Sequence, residues 1–243
     1  MVPFQLFLTN GTARCGAVLV HPRYALTAAH CAEVLKDDPN TFVWGGVSDL
    51  GKLDPIKFQR RDVAKWSIHP EYNLTTLQND IAVMEFYHFI DTKAIPIKPI
   101  KINVFDFASD FPDQRPYMIS GFGAIGYNKN GLPVLTNYLS VANTTIVNRE
   151  YCRKYWERHV EITDKHVCTS VIHSGTLGGD SGGPLFHEHH DTVNNVVEWR
   201  LLGITSFGSQ KLSIFAPDVY ARASLYCPWI TEVTGTNVEC SFT

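Results

Sequence analysis

Residues 178–184, Gly-Gly-Asp-Ser-Gly-Gly-Pro, have the composition of a loop that carries a nucleophile. Four glycines and a proline disfavour a helix or a regular strand, and glycine lets the backbone lie against a ligand. A serine in such a loop can present its hydroxyl and its backbone N–H to one substrate atom, which is the arrangement that acyl transfer needs. We therefore expect Ser181 to be a nucleophile, with the amides of Gly179 and Ser181 forming an oxyanion hole.

A serine hydroxyl is a weak nucleophile alone, so this chemistry requires a histidine base and a carboxylate that orients the histidine. His30 follows a run of small residues and precedes Cys31, while Asp80 stands at the beginning of the apolar run at residues 81–84. We expect His30 to take the Ser181 proton and Asp80 to hold the histidine tautomer. The alternatives are a turn serine, a surface histidine and an aspartate that caps a strand.

With these motifs in the order His30, Asp80, Ser181, the chain resembles the trypsin/chymotrypsin-like serine proteases over nearly its whole length. Further stretches are similar to the family's early strand, to the opening of its second barrel, to its substrate-pairing strand and to its C-terminal helix. They are residues 2–6, 119–123, 206–208 and 228–230. The resemblance implies an endopeptidase that works through an acyl-enzyme, with neither metal nor organic cofactor.

The resemblance also implies a role for Asp180. In the family, proteolysis frees an N-terminal amine that folds inward and pairs with the acidic residue just before the nucleophile. The printed chain starts after that segment, so Asp180 has no evident cation, and a buried carboxylate without a partner is costly. We expect a truncated sequence from which the signal and activation segments are missing.

The specificity pocket is less ordinary. Trypsin-like members carry an aspartate six residues before the nucleophile, where this chain has Gly175. Asp218 falls where most members have a glycine, on the opposite wall, and a similar exchange occurs in crustacean collagenolytic proteases that accept basic and large apolar side chains. We expect such a mixed preference at P1; the alternative for Asp218 is a solvated loop acid. The other expected substrate-binding residues are Thr176, Ser206, Phe207 and Gly208.

Six cysteines allow fifteen disulfide pairings. Their positions fall into three local couples, which are Cys15/Cys31, Cys152/Cys168 and Cys227/Cys240. The resemblance implies the first two bridges, and we expect the third to tether the C-terminal tail. Glycosylation sequons at Asn10, Asn73 and Asn143 are compatible with secretion, and the cysteines favour an oxidising compartment. We expect an extracellular glycoprotein made as a zymogen.

Composition excludes several other classes. Hydrophobic residues make up 44% and charged residues 19% of the 243 residues, which is typical of a globular chain rather than a disordered one. The net charge of −3 gives no basic surface for nucleic acid, and no apolar run has the length of a membrane span. No C-x-x-C spacing indicates a zinc site.

Short apolar runs separated by turn residues predict an all-β sandwich or barrel. In the first half they lie at residues 17–20, 24–26, 42–44, 56–58, 63–68 and 81–86. The proline-containing stretch 94–113 fits a linker between two barrels. With the resemblance, we predict two packed six-stranded antiparallel β-barrels and a short C-terminal helix. We assign residues 1–243 to one peptidase domain, with His30 and Asp80 in a barrel at 1–100 and Ser181 and the pocket in a barrel at 101–243.

In the second half we predict a strand at residues 138–147, a helix at 148–159 capped by Asn148, and a helix at 228–233 begun by Pro228. Leu185-Phe186 and residues 199–206 are predicted strands joined by a long polar loop. The run His187-Glu188-His189-His190-Asp191 in that loop raises the alternative of a metal site, but we expect a solvated loop tip.

We conclude from the sequence that the chain is a monomeric, secreted serine endopeptidase acting on proteins or peptides, with protein inhibitors and an upstream activating protease as partners. The rival hypothesis is a non-catalytic protease homologue that binds partners, which the intact His30, Asp80 and Ser181 disfavour and the missing activation segment favours. A lipase or esterase is disfavoured because that class has the chain order Ser, Asp, His.

Overall fold

Among the described residues, the first six strands of the chain form an antiparallel barrel. They are β1 (Gln5–Thr9), β2 (Arg14–His21), β3 (Tyr24–Thr27), β4 (Phe42–Gly45), β5 (Gln59–Ile68) and β6 (Ala82–Phe86). The order around the barrel is β1-β2-β3-β6-β5-β4, and pairing of β4 with β1 closes it. The computed structural model describes residues 2–54, 58–104, 106, 115–191, 195–209 and 215–241.

The second half of the chain forms a larger sheet. Its strands, with a separate hairpin of β9 and β10, are β7 (Lys101–Ile102), β8 (Tyr117–Gly121), β9 (Ala124–Tyr127), β10 (Pro133–Leu135), β11 (Ser140–Thr144), β12 (His166–Thr169), β13 (Pro184–Asp191), β14 (Val196–Phe207) and β15 (Asp218–Arg222). In the described part of the chain the order is β11-β8-β13-β14-β15-β12, with β7 added parallel to β14. A bridge between Ile146 and Thr169 joins the two ends of this sheet.

Three helices accompany the strands of the described chain. They are α1 (Ala29–Leu35), α2 (Arg149–Trp156) and α3 (Cys227–Val233). The Asn148 side chain accepts a hydrogen bond from Glu150 N and so caps α2, as the sequence predicts. Pro228 lies in the first turn of α3, where its missing N–H costs nothing.

The barrel and the second sheet share one hydrophobic core. Phe4, just before β1, packs edge-on against Phe186 of β13 with 4.9 Å between ring centroids, and Phe186 packs in turn against Trp199 of β14. Aromatic pairs in this geometry add to the free energy gained by burying their surface. The two halves therefore pack against each other through buried side chains of both.

The fold class is confirmed, with differences of detail. The second sheet is not a continuous six-stranded barrel, because its ends meet at one bridge and β7 runs parallel. The early strand begins at Gln5 rather than at residue 2, and α1 was not predicted. The predicted strand at 56–58 lies largely outside the described residues, as does much of the linker at 94–113. The division of the domain at residue 100 stays a prediction.

The predicted polar loop after Phe186 is wrong. Residues 187–191 continue β13 and pair with Val196–Arg200 of β14, so a hairpin replaces the loop. Strand geometry points successive side chains to opposite faces. His187 is accordingly buried against Tyr117, while His190 is exposed. Polar composition suggested a loop, but the ladder to β14 satisfies this backbone.

All three predicted disulfides are confirmed: Cys15–Cys31, Cys152–Cys168 and Cys227–Cys240. Closing a loop of this size is worth about 3 kcal/mol in the chain-entropy model. The first bridge ties β2 to α1, the second ties α2 to β12, and the third holds the tail against α3. Three disulfides fit an oxidising compartment. Among the described helices, none is long and apolar enough to cross a membrane.

Candidate active site

Strand pairing in the barrel brings His30 and Asp80 together. Thr27, the last residue of β3, pairs with Ala82, the first of β6, so the residues beyond each lie at the same end. His30 Nδ1 is 2.8 Å from Asp80 Oδ2, and His30 N donates to Asp80 Oδ1 at 2.9 Å. A carboxylate only accepts, so Nδ1 carries the proton and Nε2 is left as an acceptor.

Asp80 is 1% exposed and its charge is compensated by hydrogen bonds. Besides the two bonds from His30, it accepts one from Ser206 Oγ at 2.5 Å. Ser206, expected at the substrate-pairing strand, thus turns its hydroxyl to the carboxylate rather than to the cleft. It lies where the β14–β15 register shifts between Thr205 and Phe207. A buried carboxylate with three donors is held in one orientation.

The loop with Ser181 is seated on the first barrel. Gly16 N donates to Ser181 O at 2.7 Å, and Cys31 Sγ lies 3.7 Å from the same oxygen. Gly182 has φ +81°, and a Cβ there would lie 2.2 Å from Thr27 Oγ1. Cys31, the residue after His30, therefore contacts the main chain of Ser181. Both the conformation and the close approach require glycine at position 182.

Among the described residues, the Ser181 hydroxyl makes no hydrogen bond to His30, and the amides of Gly179 and Ser181 find no acceptor. The nucleophile–base contact is often long without substrate. Two N–H groups without a chain acceptor are available to water or to a substrate oxygen. Gly179 has φ +101°, a conformation that side-chain-bearing residues rarely adopt.

The Asp180 carboxylate is held by two backbone amides. Its Oδ1 accepts from Gly123 N at 2.8 Å and its Oδ2 from Leu177 N at 3.0 Å. A Cβ at Gly121 would lie 2.0 Å from Oδ1, so this part of the predicted 119–123 motif must be glycine. Burial raises the pKa of the Asp180 carboxyl, and the two amides partly offset that shift. No cation of the described chain pairs with it.

The structure corrects one alternative for Asp218, which is not a solvated loop acid. It opens β15, is 2% exposed, and its Oδ2 accepts from Thr176 N at 2.5 Å and from Thr176 Oγ1 at 2.9 Å. Burial raises its pKa to about 6; the bonds from Thr176 lower it and the charge of Asp180 raises it further. A cavity of about 480 Å³ reaches both carboxylates, and Gly175 lines it too.

Comparison with known proteins identifies the group to which this arrangement belongs. Residues 1–230 match the protein family described as Trypsin. The chain belongs to the trypsin family. It is 30% identical over 227 residues to the trypsin of Phaedon cochleariae, which covers 90% of this chain and 78% of that protein. It is 28% identical over 241 residues to the serine protease filzig of Drosophila melanogaster, covering 96% of this chain and 13% of filzig.

Membership in the trypsin family, together with the names of both relatives, supports a serine protease with protein substrates. The structure brings the predicted residues of the trypsin-family site to one region: His30 on α1, Asp80 before β6, and Ser181 before β13. Phe207 ends β14, and its ring packs edge-on against Trp156 of α2, 5.3 Å between centroids. Gly208 follows it, where a Cβ would lie 2.1 Å from Asp218 Oδ1.

The metal hypothesis gains no support from the structure. Because successive side chains of a strand point to opposite faces, His187 and His190 of β13 face opposite ways. In the described chain, no three His, Cys, Asp or Glu side chains are placed to share a metal ion.

Sequence reasoning missed Lys165 and the contacts that Thr176 makes. Thr176 binds Asp218 with both its amide and its hydroxyl, and Lys165 binds Asn79 beside Asp80 at 2.8 Å. Thr176 was expected to contact substrate, whereas Lys165 had no motif. Since these contacts join residues 42 and 86 positions apart, no local pattern reports them.

Proposed function

We propose that the chain is a serine endopeptidase in which His30, Asp80 and Ser181 are the catalytic residues. The observation that carries the proposal is the bond from His30 Nδ1 to the buried Asp80, which leaves Nε2 available as a base. Cys31, the residue after His30, contacts the main chain of Ser181. Family membership supports the same activity. The non-catalytic alternative is not favoured, since the relative filzig is itself named a serine protease.

The reaction follows from the roles of these groups. His30 Nε2 takes the Ser181 Oγ proton as Oγ bonds to the substrate carbonyl carbon, and the amides of Gly179 and Ser181 stabilise the oxyanion. The C–N bond then breaks, and His30 gives the proton to the leaving amine. A water molecule loses a proton to His30, attacks the ester, and releases the acid while Ser181 regains its proton.

The pocket supports a mixed P1 preference. Asp218 supplies one carboxylate for a basic side chain, while Gly175 and the apolar Val171 line the same cavity and could accept an apolar one. Residues 206–208 are proposed to pair with an extended substrate backbone. Asp180 is proposed to receive an N-terminal ammonium, which an activating protease frees. We further propose an extracellular monomer that is recognised by protein inhibitors.

Labelling with a serine-directed fluorophosphonate tests the activity. The chain as printed is compared with a form that carries a cleaved N-terminal extension, and each is made with Ser181→Ala and with Ser48→Ala, an exposed serine far from the site in sequence. We expect labelling that Ser181→Ala abolishes, by at least about 10³-fold, and Ser48→Ala leaves intact. Absence of labelling in every folded form contradicts the proposal. If the chain is labelled without an added extension, Asp180 does not need an ammonium partner for activity.

A further inference from the structure

The segment at residues 161–165, which leads into β12 of the second sheet, contacts the loop that ends at Asp80. Gln78 Nε2 donates to the carbonyl oxygen of Glu161 at 2.7 Å, and Lys165 Nζ donates to Asn79 Oδ1 at 2.8 Å. Gln78 and Asn79, the two loop residues in these bonds, lie within two positions of Asp80. The segment therefore contacts the first barrel next to the carboxylate that is proposed to orient His30.

Asn79 is the centre of this contact. It is 5% exposed, and both ends of its side-chain amide are used, since Nδ2 donates to Glu71 O at 2.9 Å while Oδ1 accepts from Lys165. Its φ of +54° is left-handed, a conformation that costs free energy for a residue other than glycine. Such a conformation persists where the surroundings hold it, and here the Lys165 ammonium is one of the holding groups.

Lys165 is itself fixed to the second sheet. Its carbonyl oxygen accepts from Arg222 N at 2.8 Å, and the next residue begins β12, which pairs with β15. Asp80 and His30 belong to the first barrel, whereas Ser181 precedes β13 of the second sheet. Proton transfer between His30 and Ser181 therefore depends on the register of the two halves, and a misplacement of about 1 Å can cost about 10²-fold in rate.

We propose that Lys165 is a positioning residue for the reaction: through Asn79 it holds the main chain of Asp80 in register with the loop of Ser181. This inference rests on the proposed endopeptidase function. Lys165 contacts no reacting atom and acts only through its bond to Asn79. Its loss is predicted to slow the acylation step and to leave substrate binding unchanged.

A second contact of Lys165 provides the matched control. Its ammonium also lies 3.4 Å from Glu71 Oε2, but the Glu71 side chain is 71% exposed, and exposed ion pairs contribute little. Glu71→Gln removes that charge and leaves the Glu71 carbonyl that Asn79 uses. Lys165→Met removes both contacts, and Lys165→Arg keeps a donor at the same place.

The experiment measures fluorophosphonate acylation rates, kcat and KM with a peptide amide, and thermal unfolding for the wild type and these variants. We expect Lys165→Met to lower kcat and the acylation rate about tenfold with KM within twofold, Lys165→Arg to recover most of the loss, and Glu71→Gln to match the wild type. Asn79→Gly, which accepts the left-handed backbone, should lose a similar factor, and combining it with Lys165→Met should add nothing.

Four outcomes overturn the inference. The first is a Lys165→Met protein as fast as the wild type, and the second is a loss shared equally by Glu71→Gln. The third is a loss that appears in KM or follows a fall in melting temperature. The fourth is an additive loss in the double variant. Failure of the folded wild type to label at all is a different result, since it removes the proposed function rather than the role of Lys165.

Discussion

Asp180 and Asp218 accept hydrogen bonds from two consecutive backbone amides, those of Leu177 and Thr176. The carboxylate beside Ser181 and the carboxylate of Asp218 are thus tied to one short piece of chain, and both residues line the same cavity. Burial raises the pKa of each, and the charge of Asp180 raises that of Asp218 further. Movement of either is therefore expected to affect the other.

The preference for basic P1 side chains should depend on pH. Asp218 has a pKa of about 6, so its carboxyl is ionised at pH 8 and neutral at pH 5. We expect the ratio of kcat/KM for lysine or arginine substrates to that for leucine substrates to fall as the pH is lowered through about 6. The ratio cancels any effect of pH on the steps that both substrates share. Asp218→Asn should have a low ratio that does not change with pH, and a wild-type ratio that stays constant contradicts the role of Asp218.

Asp218 should also affect stability in a pH-dependent way. Its pKa is raised from 3.8 to about 6 by folding, so its contribution to stability is complete below about 3.8 and is lost as the pH rises through 6. Asp218→Asn should therefore gain up to about 3 kcal/mol relative to the wild type between pH 4 and pH 8. Urea unfolding at both pH values measures this. The exposed Asp37→Asn serves as the control and should show no such difference.

His166 should act in the opposite direction. Burial lowers the pKa of its imidazole from 6.5 to about 4, while Nδ1 accepts from Thr163 N at 3.1 Å. Between pH 6.5 and pH 4 the His166 imidazole is protonated in the unfolded chain but neutral in the folded chain. The wild type therefore loses stability as the pH falls through this range. The stability deficit of His166→Gln should shrink by about 2 kcal/mol between pH 7 and pH 4.5. The exposed His88→Gln should give a parallel pair of curves, and an unchanged deficit for His166→Gln would be inconsistent with a buried neutral imidazole.

Alanine substitutions at Gly182 and Gly131 distinguish the effect of steric crowding from the effect of a left-handed backbone. Their φ angles are +81° and +75°, but a Cβ at Gly182 would lie 2.4 Å from Gly16 O, whereas one at Gly131 meets nothing within 4 Å. Both alanine variants carry the cost of a left-handed backbone. We expect Gly182→Ala to be less stable than Gly131→Ala by about 1–3 kcal/mol and to lose fluorophosphonate labelling, since Ser181 must move. Equal unfolding free energies would show that the loop is not seated against Gly16.

Much of the fold was predictable because it depends on patterns among residues close together in the sequence. Apolar runs predicted most strands of the first barrel, Asn148 and Pro228 predicted the beginnings of two helices, and the positions of the cysteines along the chain, with the family likeness, predicted the bridges. The patterns failed where a partner decides the outcome. Residues 187–191 are polar enough for a loop, yet β14 supplies the hydrogen bonds that make them a strand.

The sequence by itself predicted which residues the proposed chemistry uses, because the glycine-rich loop of Ser181 and the motifs of His30 and Asp80 are each local, within a few positions of the chain. Only the tertiary structure decided how those residues are held. Ser206 reaches Asp80 across 126 positions, Lys165 reaches Asn79 across 86, and Thr176 reaches Asp218 across 42. Such bonds depend on how distant segments pack together. The burial of Asp218 and the bond from Lys165 to Asn79 therefore form only when the chain is folded.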